Sequence, residues 1–157
     1  MTEARGYADG AHWVSFPVAG IAVTQGSKIA GVNPHTGRAF VRESGGSGLT
    51  AWRHAVQARA QDVDHGGIWP WQGPVVLRLR FSVPRPASEP KTLRTFPIKA
   101  RSGDLDKLAR AVLDALTGVV YRDDAQVTEL CVTKDFHPDG WMGVDIEVCC
   151  LPDRFKV

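Results

Sequence analysis

Asp104-Leu105-Asp106-Lys107-Leu108 is followed, a helix length later, by Tyr121-Arg122-Asp123-Asp124-Ala125-Gln126. Carboxylates are hard oxygen donors, and three of them meeting at one point suit an octahedral Mg²⁺. The spacing constrains how they could meet. Side chains at i and i+2 diverge inside a helix. An Asp104 at the helix entry and an Asp106 in its first turn can still converge on one ion, where the helix dipole favours negative charge. One of Asp123 and Asp124, returning after a short connection, would supply the third donor. Taken singly, each carboxylate also has an ordinary reading: Asp104 as an N-cap, Asp106 as a solvated first-turn acid, and Asp123-Asp124 as a turn. Asp114, four residues after Arg110, reads as half of a helix-surface ion pair and is placed outside the site. Lys107 and Arg110 on the same helix either serve a substrate phosphate or are solvated.

The elements that must position these residues are legible from periodicity. Leu105, Leu108, Val112 and Leu116 form the buried stripe of a helix that Gly118 ends in a left-handed conformation. Val75, Leu77, Leu79, Phe81 and Val83 alternate with mostly polar neighbours, which is a strand pattern. Residues 13–22, 125–135 and 141–150 read as further strands, and the string Asn33-Pro34-His35-Thr36-Gly37 as the turn of a hairpin ending near Arg42. Ser44-Gly45-Gly46-Ser47-Gly48 reads as a flexible connector before an amphipathic helix over 50–64. Between Pro84 and Gly103 no periodicity survives, so a solvated loop is expected there. Residues 1–11 are expected to be a tail and 12–157 one domain. The order fits an α+β fold, a mixed β-sheet packed with two main helices.

Charge divides unevenly along the chain. Up to Arg101 there are thirteen Lys and Arg against six Asp and Glu; beyond it, six against eleven, giving halves of +7 and −5 within a net +2. A basic half beside an acidic half is what a metal-dependent enzyme acting on a polyanion needs. Chance asymmetry in a folded domain is the plainer explanation of the same counts. With 43% hydrophobic residues, no apolar run near the roughly 18 residues of a membrane span and no leader-like N-terminus, a cytoplasmic protein is expected. Cys131, Cys149 and Cys150 lack the repeated spacing of a zinc site and read as reduced thiols.

The segments Asp-Leu-Asp-Lys-Leu, Asp-Ala-Leu-Thr-Gly and Asp-Asp-Ala-Gln, in this order over roughly residues 99–135, resemble the signature of RusA-like Holliday junction resolvases. Phe16-Pro17, Gln25-Gly26-Ser27-Lys28 and Trp52-Arg53 resemble N-terminal features of phage and actinobacterial members. The resemblance implies a Mg²⁺-dependent endodeoxyribonuclease, with Mn²⁺ as a substitute, that acts on branched DNA as a homodimer. It implies metal-binding carboxylates at Asp104, Asp106 and Asp124, with Asp123 in support. A basic residue one turn after the second motif aspartate is also implicated; here it is Arg110, where the best-known members have Lys. Lys107 stands where some members have Asn. On this reading Lys28, Arg94, Lys99, Arg101 and Lys107 meet the DNA backbone.

Two other classes compete: a DNA-binding module without catalysis, and another Mg²⁺ phosphoryl-transfer enzyme. The second class usually carries Asp-x-Asp on or just after an apolar strand, whereas here a basic loop leads into a helix. The chain also lacks a Gly-x-x-x-x-Gly-Lys phosphate loop. Leu108 falls where a calcium loop would need an oxygen ligand or Gly.

Overall fold

The structure is a computed structural model that describes residues 10–26, 28–43 and 46–154; the side chains of residues 28, 29, 42 and 43 are also outside the description. Most of the expected tail, residues 1–9, lies outside the described residues.

The elements follow the expected order: β1 (His12–Ala19), β2 (Lys28–Val32), β3 (Ala39–Glu43), α1 (Gly46–Asp62), β4 (Val75–Ser82), α2 (Leu105–Leu116), β5 (Val127–Asp135) and β6 (Gly143–Cys150). Four strands form one sheet in the order β1-β6-β4-β5, with β4 and β5 parallel and the other pairs antiparallel; β2 and β3 form a separate hairpin. The sheet is therefore mixed, and the α+β class holds.

Register shows how the alternating sequence makes two faces. Phe16, Ile146, Leu79 and Val132 lie across from one another, as do Val14, Val148, Leu77 and Leu130. The intervening row is Ser15, Glu147, Arg78 and Cys131, so a one-residue slip would exchange core for charge. Both helices pack into the core formed with the apolar face. α1 contributes Leu49, Trp52, Val56 and Ala60, and α2 contributes Leu108, Ala111, Val112 and Leu116 among others. Each large apolar side chain removed from water in this way is worth about 1.5–3 kcal/mol.

Two expectations need correction. Within the glycine-rich connector before α1, Gly46, Ser47 and Gly48 are helical and form its first turn, while Ser44 and Gly45 lie outside the described residues. Leu49 and Trp52 are almost fully buried and anchor that end, so tertiary packing outweighs the roughly 1 kcal/mol propensity cost of a helical glycine. Asp114 is not paired with Arg110 along the helix. It pairs across the helix interface with Arg53 of α1 at 2.7 Å, because α1 packs directly against that face of α2.

Gly118 has φ +84 directly after the C-cap Thr117, the left-handed position expected for it. Cys149 and Cys150 are buried and Cys131 is exposed, all as free thiols; burial pushes the Cys149 thiol up to about 11.

Candidate active site

The acidic motif begins where the basic loop ends. Ala100–Ser102 forms a 3-10 turn, Gly103 follows with φ +83, and Asp104 is the N-cap of α2. Gly103 is demanded twice over. Its backbone is in a region disfavoured for L side chains, and a Cβ there would come within 2.7 Å of the Thr24 methyl. The segment carrying Thr24 lies against this entry, and Gln25 donates its backbone N–H to the Lys107 carbonyl at 3.1 Å. Gln25 thus lies beside the start of α2, and Ser27 of the Gln25-Gly26-Ser27-Lys28 string is outside the described residues. Lys28 opens β2, and its side chain is outside the described residues.

Asp104 occupies the N-cap position without acting as a cap. Its side chain bonds no helix N–H; it meets Lys107 at 2.9 Å instead. The bond from Lys107 holds the Asp104 carboxyl below its usual range, helped by the nearby charge of Lys134, and raises Lys107 in return. Asp106 is exposed in the first turn of α2.

Asp123 and Asp124 look alike in sequence and differ in use. Asp123 accepts a hydrogen bond from the Ala125 N–H at 2.8 Å, while Gln126 accepts from the N–H groups of Asp123 and Arg122 at 3.0 and 2.9 Å. This is a reciprocal cap on the 3-10 turn Asp124–Gln126. The Gln126 amide also donates to the carbonyls of Trp71 and Gly73, at 2.9 and 3.0 Å. Tyr121, fully buried and kept protonated by that burial, donates its hydroxyl to the Leu113 carbonyl of α2 at 2.9 Å. The conspicuous Tyr-Arg-Asp-Asp-Ala-Gln string is thus largely a clasp. Both aspartates are exposed, and Asp124 is the carboxylate the cap does not use.

Asp106, Arg110 and Asp124 line one open depression between α2 and β5, over a floor that includes Leu113, Leu130 and Val132. Residues eighteen positions apart in the chain, Asp106 and Asp124, are thereby brought to one place. An apolar floor reduces local screening and strengthens any ionic interaction above it. Asp104 is on the adjoining turn and does not line the depression. Among the described residues, no three His, Cys, Asp or Glu side chains stand together closely enough to hold a metal ion as placed. The donors fit a hard cation in kind, being exposed carboxylates, with Asp104 engaged by Lys107.

The cations singled out in the loop are less free than their count implied. Arg94 is paired with Asp135 and stacks its guanidinium 4.7 Å from the Phe96 ring centre; Lys99 is paired with Glu89 at 3.4 Å. Arg101 and Arg110 are exposed and make no ion pair among the described residues.

One residue at the site was missed from sequence. Lys134 of β5 donates to the Gly103 carbonyl at 2.6 Å and to the Ser102 hydroxyl at 3.0 Å, tying the end of the loop to the sheet. Its signal is visible in retrospect. Leu130, Val132 and Lys134 are in strand phase, and Lys134 registers with Phe81 and, through it, Val144 and Val18. A lysine that ends an apolar row has to find oxygen partners, and it finds them beside Asp104.

A search of curated proteins found no match to the chain. The family model described as endodeoxyribonuclease RusA matches residues 31–148, a span that runs from β2 almost to the end of β6 and includes every acidic residue discussed above. With that match over most of its length, the chain belongs to the RusA endodeoxyribonuclease family.

Proposed function

We propose that this protein is a Mg²⁺-dependent, structure-selective endodeoxyribonuclease that resolves four-way DNA junctions by paired cuts in recombination and repair. The observation that carries the reading is the meeting of Asp106, Arg110 and Asp124 in one depression beside the loop of cations, in a chain of this family.

Asp104, Asp106 and Asp124 would hold Mg²⁺, or Mn²⁺ in its place, and Asp123 supports them by capping the turn that presents Asp124. A bound ion of this kind supplies an activated water and stabilises charge on the attacking and leaving oxygens. The remaining work falls to the chain. Lys107 keeps Asp104 ionised and close to the helix entry. Arg110, four residues along α2 from Asp106, contacts the phosphate that lies over the depression. Arg101 and Lys28 hold the flanking backbone. Arg94 and Lys99 join them by exchanging Asp135 and Glu89 for phosphate, a small loss because both existing pairs are solvent-exposed on the cation side.

Cutting two strands of a junction in concert calls for two such sites, and a two-fold homodimer provides them. No helix among the described residues is long and apolar enough to cross a membrane. A DNA-acting nuclease of this kind belongs in the cytoplasm. The test is incubation of the purified chain with a synthetic four-way junction and a matched linear duplex, with and without Mg²⁺. Junction-selective nicking that requires the ion is expected. Metal-independent binding with no nicking of either DNA would reduce the protein to a binding module.

A further inference from the structure

Next to the acidic site the basic loop encloses a second feature. A cleft lies between the loop and Phe136, walled by Phe96, Ile98, Phe136 and three prolines, with Arg85, Lys99 and Arg101 also lining it. Phe96 is 57% exposed and Ile98 87%, so large apolar side chains face water in the middle of a cationic segment. Arg85 sits with its guanidinium 5.4 Å from the Phe136 ring centre and donates to the Pro90 carbonyl, while its Nε is buried without a partner. Glu89 is the one carboxylate in the lining, and Lys99 already pairs with it. Apolar and aromatic walls beside surplus positive charge match a ligand that has both a flat apolar face and an anion. A nucleotide has both.

We propose that this cleft receives one unstacked nucleotide of branched DNA, its base against Phe96, Ile98 and Phe136 and its phosphate on Arg101 and Lys99. The inference rests on the reading of the chain as a nuclease of branched DNA and adds how a branch is told from a duplex. Duplex bases are stacked and paired, whereas bases flanking a strand exchange are the cheapest to unstack. Location supports the assignment. Ser102 lines the cleft, is two residues before Asp104, and is held by Lys134, so a nucleotide captured there places its neighbouring phosphate beside the acidic site.

The experiment uses the full chain and four-way junctions carrying 2-aminopurine at each position flanking the branch, in buffer without divalent ion. Binding should raise the fluorescence at one or more of these positions and leave a matched duplex unchanged. Phe96→Ala combined with Ile98→Ala should abolish the rise and narrow the preference for junction over duplex by roughly tenfold, within the range for losing one base-stacking contact. Both side chains are exposed, so the fold should survive, and Phe96→Tyr should keep the signal. The proposal is overturned if the wild-type chain gives no rise, or if the double variant gives the wild-type rise. It is equally overturned if light scattering shows the double variant losing a dimer that the wild-type chain forms, which would make the cleft a contact between copies. Nicking with Mg²⁺ is read separately. A fluorescence rise without nicking rejects the nuclease reading and retains the cleft, and nicking with unaltered fluorescence does the reverse.

Discussion

The loop from Pro84 to Gly103, with five Lys and Arg against Glu89, and the helix α2, with two acids against two bases, join at one glycine, yet they are held in opposite ways. α2 is fixed by apolar burial on one face, with Leu108, Val112 and Leu116 at 0–1% exposure, and leaves Asp106 and Arg110 in water on the other. The loop is fixed by a few polar ties: Arg94 to Asp135, Lys99 to Glu89, and Lys134 to Ser102 and Gly103. Close-packed contacts admit little movement, whereas exposed ion pairs exchange partners at a cost of about 1 kcal/mol or less. On the proposed function, chemistry that needs fixed ligands is thus placed on the helix, and recognition that needs adjustment on the loop.

The largest effect expected from breaking this division is on the helix side. Asp106→Asn keeps shape and removes one ionised carboxylate, on the proposed function a metal ligand. Nicking should fall by about a hundredfold or more, equivalent to about 2.7 kcal/mol of transition-state stabilisation, while folding persists and metal-free junction binding is unchanged or tighter. Paired gel-shift and nicking assays at equal salt decide it. If Asp106 is only a solvated first-turn acid, the substitution costs at most about 1 kcal/mol of stability and nicking is normal.

On the loop side the quantity to measure is salt dependence. Arg53, Arg78, Arg80 and Arg94 are all engaged by carboxylates from the acidic half, namely Asp114, Glu147 and Asp135. Those pairs lower the number of cations ready for phosphate. If about four phosphates are neutralised, affinity should drop roughly a hundredfold between about 50 and 200 mM salt; about six would make it roughly a thousandfold. A nearly flat titration would count against the whole phosphate surface.

The smallest effect is expected where loop and helix meet. Lys134→Ala leaves the Gly103 carbonyl without its charged donor, a loss on the order of 1.5–3 kcal/mol. Nicking should decline about tenfold, and the Mg²⁺ concentration for half-maximal nicking should rise, because the turn that leads into Asp104 is no longer tied to the sheet. Lys134→Arg should recover most of both. A lower Tm with an unchanged Mg²⁺ requirement would show that Lys134 only staples the loop.

The order of elements, the two amphipathic helices and the left-handed Gly118 were legible because periodicity and turn chemistry are local. The family signature around Asp104, Asp106 and Asp124 was legible for the same reason. Other features were not. The sequence could not say that Gly46 to Gly48 are helical, since buried Leu49 and Trp52 overrule their propensity. Spacing alone did not separate Asp123 from Asp124, which only the family resemblance set apart, because the structural distinction lies in which carboxylate caps the turn.

By itself, then, the chain's sequence determined which residue types recur at which spacing: the strands and helices, the acidic motif and the uneven distribution of charge. Tertiary structure decided the use of that charge. Bringing β4 beside β6 and α1 against α2 spends several arginines of the basic half on carboxylates of the acidic half. Bringing β5 beside β4 directs Lys134 to the entry of α2 and sets Asp124 over the same depression as Asp106. Ion pairing depends on distances of a few ångströms, and separation along the chain does not fix those distances.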